Sequence, residues 1–140
     1  MNKTNYFTKQ NVEEHEYFIH KYVHSLGIVN CPKIISYDWK NKVMVMERID
    51  NMSIADFYGE DANELPKHIF NEIRQIVSKL LEYNIEYIDI TGYNFIEFDE
   101  KIWIIDFEHA GIKKKKTTQF LQEFLSVENK NHQYWNPYFL

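Results

Sequence analysis

Glycine is scarce in this chain. Gly27, Gly59, Gly92 and Gly111 are the four present, and they stand too far apart to build a glycine-rich phosphate loop of any known spacing. Cysteine is scarcer still. Cys31 stands alone, so no internal disulfide forms and nothing asks for an oxidising compartment. No apolar run approaches the roughly 20 residues of a membrane helix, and Met1–Gln10 does not read as a signal peptide. Positive charge is in deficit: 16 Lys plus Arg against 21 Asp plus Glu leave a net −5. That argues against wholesale nucleic-acid binding through a basic surface. What is there is ordinary globular composition, 44% hydrophobic and 26% charged over 140 residues. It suffices for one cytoplasmic domain with one core. Lysine outnumbers arginine, and Asn, Ile and Tyr are abundant, a bias typical of AT-rich genomes such as those of giant viruses or some parasites.

Hydrophobic spacing predicts the elements. Val12, Ile19, Val23 and Leu26 recur at helical intervals, so a helix is expected over about Val12–Leu26, with Gly27 as its C-cap. Glu16 falls inside that stripe. It is either an acid at the stripe's edge with its head in water or an acid aimed inward to meet a cation. Two extended runs, Lys33–Trp39 and Lys42–Ile49, flank Lys40-Asn41 and suit an antiparallel hairpin. Ser53 is placed to cap a short helix near Ile54–Tyr58. A long core helix is predicted over about Pro66–Tyr83, where Ile69, Phe70, Ile73, Ile76, Val77, Leu80 and Leu81 make one wide apolar face. Further strands are expected at Phe95–Phe98 and Lys101–Ile105, and one more helix at Thr117–Ser126. The aromatic end, Tyr134 to Phe139, is open to two readings: a partner surface, or packing against the core.

The second hairpin carries the chemistry. With Asp99-Glu100 as a two-residue turn, Phe98 faces Lys101, Phe95 faces Ile104 and Asn94 faces Ile105. Asp106 then emerges beside Asn94, with α-carbons roughly 5–7 Å apart. An amide oxygen and a carboxylate side by side are hard ligands suited to Mg²⁺. Asp89, five residues before Asn94, can fold back over the same end, where an acid accepts a proton from an attacking hydroxyl or orients it.

Asp89-Ile-Thr-Gly-Tyr-Asn94, a hairpin, then Asp106-Phe107-Glu108 resembles the metal and catalytic core of the protein-kinase superfamily. Upstream, Leu26 to Pro32 followed by Ile34, Ile35 and Asp38 resembles the segment after helix C in the KEOPS-complex kinase and the RIO kinases. Val45-Met46-Glu47-Arg48-Ile49 is similar to their hinge strand, whose backbone holds adenine. Asp89-Ile90-Thr91 is similar to the KEOPS kinase, and Asp-Phe-Glu to choline kinases and aminoglycoside phosphotransferases. The resemblance spans about residues 12–112. It implies Asp89 as catalytic aspartate, Asn94 and Asp106 as metal ligands, Glu47 in the hinge and Glu16 as the helix C glutamate. ATP and Mg²⁺ are the implied cofactors.

The pattern departs from that family in three ways. About ten residues precede the first helix, so the glycine-rich loop and most of the first three strands are expected to be missing. The lysine that should pair with Glu16 has no secure match, with Lys3 and Lys9 the candidates. Tyr87 stands at the motif histidine, a loss expected to weaken support for the loop. The expectation is an α+β, minimal protein-kinase-like fold in a single domain, residues 1–140. Its reduced N-terminal lobe covers about 1–50 and its truncated, helical C-terminal lobe about 51–140. Function divides between an ATP- and Mg²⁺-dependent phosphotransferase of the serine/threonine kinase-like type, slow or in need of a partner chain or second copy, and a catalytically degenerate pseudokinase acting as a binding or regulatory module. Lys113, Lys114, Lys115 and Lys116 form either a solvated turn or a patch for phosphate, acidic substrate or RNA.

Overall fold

Val12 and Val23 are fully buried and Ile19 nearly so, and this stripe seats the first helix, α1 (Glu14–Leu26), which Gly27 ends in the left-handed conformation at φ 64°. Only a residue without Cβ adopts that conformation at no steric cost. The helix begins two residues later than its apolar stripe predicts. In the computed structural model, residues 5–113, 116–126, 128 and 132–139 are described.

Three strands pack beside α1: β1 (Tyr6–Lys9), β2 (Ile34–Asp38) and β3 (Val43–Glu47). They form an antiparallel sheet in the order β1-β3-β2. The β2–β3 hairpin was legible from its alternation; β1 was not. It pairs Thr8 with Val45 and Lys9 with Met44, a short strand that hydrophobic spacing does not place. The face of β3 that carries Met44 and Met46 closes a small core with Val12.

The larger core surrounds α3 (Lys67–Glu82), in which Ile69, Phe70, Ile73, Val77 and Leu80 are buried. Each such side chain contributes about 1.5–3 kcal/mol on leaving water. Before it lies the short α2 (Ile54–Tyr58), whose N-cap Ser53 accepts a hydrogen bond from the Asp56 amide at 3.1 Å. After α3 come β4 (Ile85–Glu86), the hairpin β5 (Phe95–Phe98) and β6 (Lys101–Ile104), then β7 (Gly111–Ile112), which pairs with β4. A last helix, α4 (Gln119–Phe124), is capped by Thr118.

The β5–β6 register is the one the two-residue turn dictates, with Phe95 opposite Ile104 and Phe98 opposite Lys101. Asp99 and Glu100 have φ of 55° and 60°, the left-handed pair that matches strand twist in a tight hairpin. Trp135 is buried in the main core, which settles its share of the aromatic tail as packing, while Tyr138 is 87% exposed. Among the described residues no helix is long and apolar enough to cross a membrane.

Candidate active site

The β5–β6 hairpin aims its open end at the underside of the three-stranded sheet. Beyond the last ladder pair, the Ile105 amide donates to the Asn94 carbonyl at 3.1 Å. That single bond carries the register one step further and brings Asn94 and Asp106 to the wall of one cleft. The Asn94 side-chain nitrogen donates to the Asp89 carbonyl at 2.7 Å, tying Asp89 to the same end. The three polar residues singled out by spacing, Asp89, Asn94 and Asp106, are thus brought together.

Lys9 completes the group from the opposite side. Its ammonium lies 2.5 Å from a Glu16 carboxylate oxygen and 3.2 Å from Asp106 Oδ1. Glu16 is 3% exposed, so it is the inward acid rather than the solvated one, and Lys9 is its cation. Of the two candidate lysines, Lys9 on β1 is the one that meets Glu16; Lys3 lies outside the described residues. Burial disfavours the charge on Lys9, but Asp106 and Glu16 together outweigh it and hold its pKa above the ordinary 10.5.

Phe107 explains why Asp106 faces the cleft. Its ring is fully buried against His20 of α1, at 4.8 Å between centroids, and against Tyr87 at 5.9 Å. With the phenylalanine anchored inward, the preceding side chain is turned out. His20 also shares a hydrogen bond with the Pro32 carbonyl, and burial lowers its pKa to about 4. His20 is thus neutral packing. A second tie joins His15 to the Ala110 carbonyl, so the N-terminal half of α1 is fixed to the segment from Phe107 to Ala110 at two points.

Tyr87 corrects another expectation. Its hydroxyl donates to the Asp106 carbonyl at 2.5 Å, and the ring is fully buried. It supports the loop from the position of the missing histidine. A buried phenol stays protonated: burial pushes its pKa well above 10, which keeps it a donor.

Asp89 is half-buried. Burial raises its pKa above 3.8; the Asn94 hydrogen bond and His109 oppose that, while Asp106 and Glu108 reinforce it. The result is a more basic carboxylate than an exposed aspartate, the direction a proton acceptor needs.

The cleft has a volume of about 430 Å³ and is lined by Lys9, Met46, the segment from Glu47 to Ile49, Ile96, Ile105 and Asp106 among others. Phe7, Met46, Ile49, Ile96 and Ile105 give it apolar walls, and Lys9 and Asp106 bring charge to the same cleft. Glu47 lines the cleft, and its carboxylate accepts from the Lys33 amide at 3.2 Å. One carboxylate oxygen each from Glu16, Asp106 and Glu108 lie within 4.8 Å of one another. Carboxylates with an adjacent amide make an oxygen donor set, which fits a hard divalent cation. Of the lysine run, Lys113 binds through its backbone amide to the Asn84 carbonyl, and Lys114 and Lys115 lie outside the described residues.

Comparison with known proteins gives the family and the fold. The family model for the RIO domain matches residues 2–127. The KEOPS complex subunit Bud32 of Pyrococcus abyssi (strain GE5 / Orsay) is 30% identical over 79 residues, 56% of this chain and 36% of that protein. The solved structure of the Cydia pomonella granulovirus kinase, PK-1, superposes with a TM-score of 0.60 at 15% identity, covering 99% of this chain and 56% of that one. The chain therefore spans about a third of the length of the one relative and just over half of the other.

Proposed function

The chain belongs to the RIO domain family of atypical kinase-like proteins, and from that premise we propose that it is a phosphotransferase that uses ATP and Mg²⁺. One observation carries the reading: Lys9 bridges Glu16 and Asp106 at the end of an apolar cleft beside Asn94. Phosphoryl transfer needs little covalent help from a protein. It needs the phosphates held, their charge offset and the attacking oxygen aligned.

In this reading the apolar walls around Met46, Ile49, Ile96 and Ile105 take the adenine ring, and the backbone of Glu47–Ile49 takes its polar edge. Glu16 holds Lys9 extended so that its ammonium meets the phosphates. Asn94 and Asp106 would hold Mg²⁺, which when bound offsets phosphate charge. Asp89, basic for an aspartate, accepts the proton of the attacking substrate hydroxyl. The lack of a securely matched lysine favours a degenerate binding module, and the contact of Lys9 with Glu16 weighs against that reading. The cover usually given by a glycine-rich loop comes in this proposal from a protein partner or a second copy of the chain. That Bud32 is named as a subunit of a complex supports a partner.

The test is thermal unfolding with nucleotide and metal, run beside a solution mass measurement. ATP at 100 times its dissociation constant adds about 2.7 kcal/mol of stability. The rise should require Mg²⁺ and vanish in Asp106→Ala. If saturating MgATP leaves the melting temperature unchanged, catalysis by this chain is abandoned.

A further inference from the structure

The Asp89 turn is held by the far end of the chain. Ile90 donates its amide to the Ile88 carbonyl at 2.8 Å, so Asp89 sits at the centre of a three-residue turn. Asn136 clips both ends of that turn. Its side-chain nitrogen donates to the Ile88 carbonyl at 2.8 Å, and its backbone amide donates to the Ile90 carbonyl at 2.9 Å. It is 3% exposed, and its own side-chain oxygen accepts from the Tyr138 amide at 3.1 Å.

The clip is itself anchored. Gln133 donates to the carbonyls of Ala62 and Leu65 at 2.9 and 3.0 Å. Trp135 donates to the Glu60 carbonyl at 3.0 Å and packs on Phe70 at 5.3 Å between centroids. Phe139 lies against His109, two residues past Phe107, at 5.0 Å. Residues 133–139 thus strap the turn before α3, the Asp89 turn and the segment after Asp106 to one another. With Asn94 bound to the Asp89 carbonyl on one side and Asn136 on its two neighbours, the backbone under the carboxylate is fixed from two directions.

We propose that Asn136 is a positioning residue for Asp89, holding the three-residue turn in the shape that points the carboxylate at the attacking hydroxyl. The assignment rests on Asp89 being the proton acceptor of the proposed reaction. Loop positions that support a reacting group act through geometry, and a displacement of about 1 Å can cost on the order of 100-fold in rate. Asn136→Asp reverses the clip, because the carboxylate keeps the acceptor for Tyr138 and sets an acceptor against the Ile88 carbonyl in place of the donor.

The experiment compares the full chain with Asn136→Asp, and with Tyr138→Ala as a surface control. Initial rates are measured over ATP concentration, together with amide hydrogen exchange. For Asn136→Asp, kcat should fall about 10–100-fold with KM for ATP within about twofold, and exchange should quicken at residues 88–91 while α3 stays protected. The control should match the parent. An unchanged kcat overturns the assignment, as does a loss matched by faster exchange throughout α3. If the parent chain transfers no phosphate, the catalytic reading fails instead. The clip is then judged by exchange alone: quickening confined to 88–91 supports it, and unaltered exchange there overturns it.

Discussion

Lys9 and Asp106 lie 97 positions apart in the chain and 3.2 Å apart in space. The same Asp106 Oδ1 that accepts from Lys9 also accepts from the Glu108 amide at 2.9 Å. The acid proposed for the metal is therefore positioned by the first strand, through the lysine, and by its own loop. Glu16 holds the other side of the ammonium, so strand, helix and hairpin meet at one cation.

Breaking that meeting point should cost stability as well as activity. Lys9→Met leaves Glu16 buried without its cation, a loss worth about 3–5 kcal/mol for a fully buried pair and less here, where Lys9 is partly exposed. Urea unfolding should show this, with Lys9→Met/Glu16→Gln recovering part of it. The deficit depends on pH. Burial already raises the Glu16 pKa above 4.5 against the pull of Lys9, and removing Lys9 raises it further. A raised acid stabilises the fold fully below pH 4.5 and loses that contribution as pH rises through its folded value. The variant's deficit should therefore shrink on acidification. In the parent, the raised Lys9 pKa acts with the same sign at higher pH: its contribution is complete below pH 10.5 and is lost as pH rises through its folded value.

Asp89 should trade stability for reactivity. Its folded pKa is raised above 3.8, chiefly by burial, so its charge at neutral pH weakens the fold. The contribution is favourable below pH 3.8 and is lost as pH rises through the folded value. Asp89→Asn removes the charge and should melt higher than the parent at pH 7, while kcat drops about 10²–10⁴-fold. The parent's kcat should have an acid limb centred above pH 3.8. A limb at or below that value, or a variant that melts lower, would count against the assigned role.

How much of this could be read beforehand follows from where each signal lives. The β5–β6 register was legible because a two-residue turn fixes pairing, and pairing fixes which side chains share an end; Asn94 and Asp106 followed from that arithmetic. The core helix was legible from one wide apolar face. Strand β1 was not. It is four residues at a sheet edge with Tyr6 and Phe7 about half exposed, so it carries no alternation of buried and solvated positions. Lys9 became identifiable only once the order β1-β3-β2 set it beside Glu16. Tyr87 looked like the loss of a histidine because sequence shows residue type and not reach; its hydroxyl meets the Asp106 carbonyl all the same. Asn136 gave no signal, since its partners are backbone groups.

Tyr87 makes a sharp substitution. Tyr87→Phe keeps the ring that packs on Phe95 and Phe107 and deletes only the donor to the Asp106 carbonyl. An acceptor left unsatisfied costs about 1–3 kcal/mol, readable by denaturant unfolding. The freed carbonyl also loosens Asp106, so stabilisation by MgATP should weaken in the same variant. Full MgATP stabilisation in Tyr87→Phe would show that the hydroxyl serves folding alone.

The hairpin turn offers a gain. Asp99 and Glu100 both occupy left-handed backbone, at φ 55° and 60°, where an L side chain costs roughly 1–2 kcal/mol and Asn or Gly much less. Asn-Gly is the pair such a turn prefers. Asp99→Asn/Glu100→Gly should therefore stabilise the chain by about 0.5–1.5 kcal/mol, the upper range being trimmed by the extra freedom glycine has in the unfolded chain. Because the substitution tightens the finger at its closed end and leaves Asn94 and Asp106 untouched at the other, MgATP should stabilise the variant as much as the parent. A lower unfolding midpoint would mean that the turn is not of the left-handed two-residue kind. The register that joins Asn94 to Asp106 would then need another source.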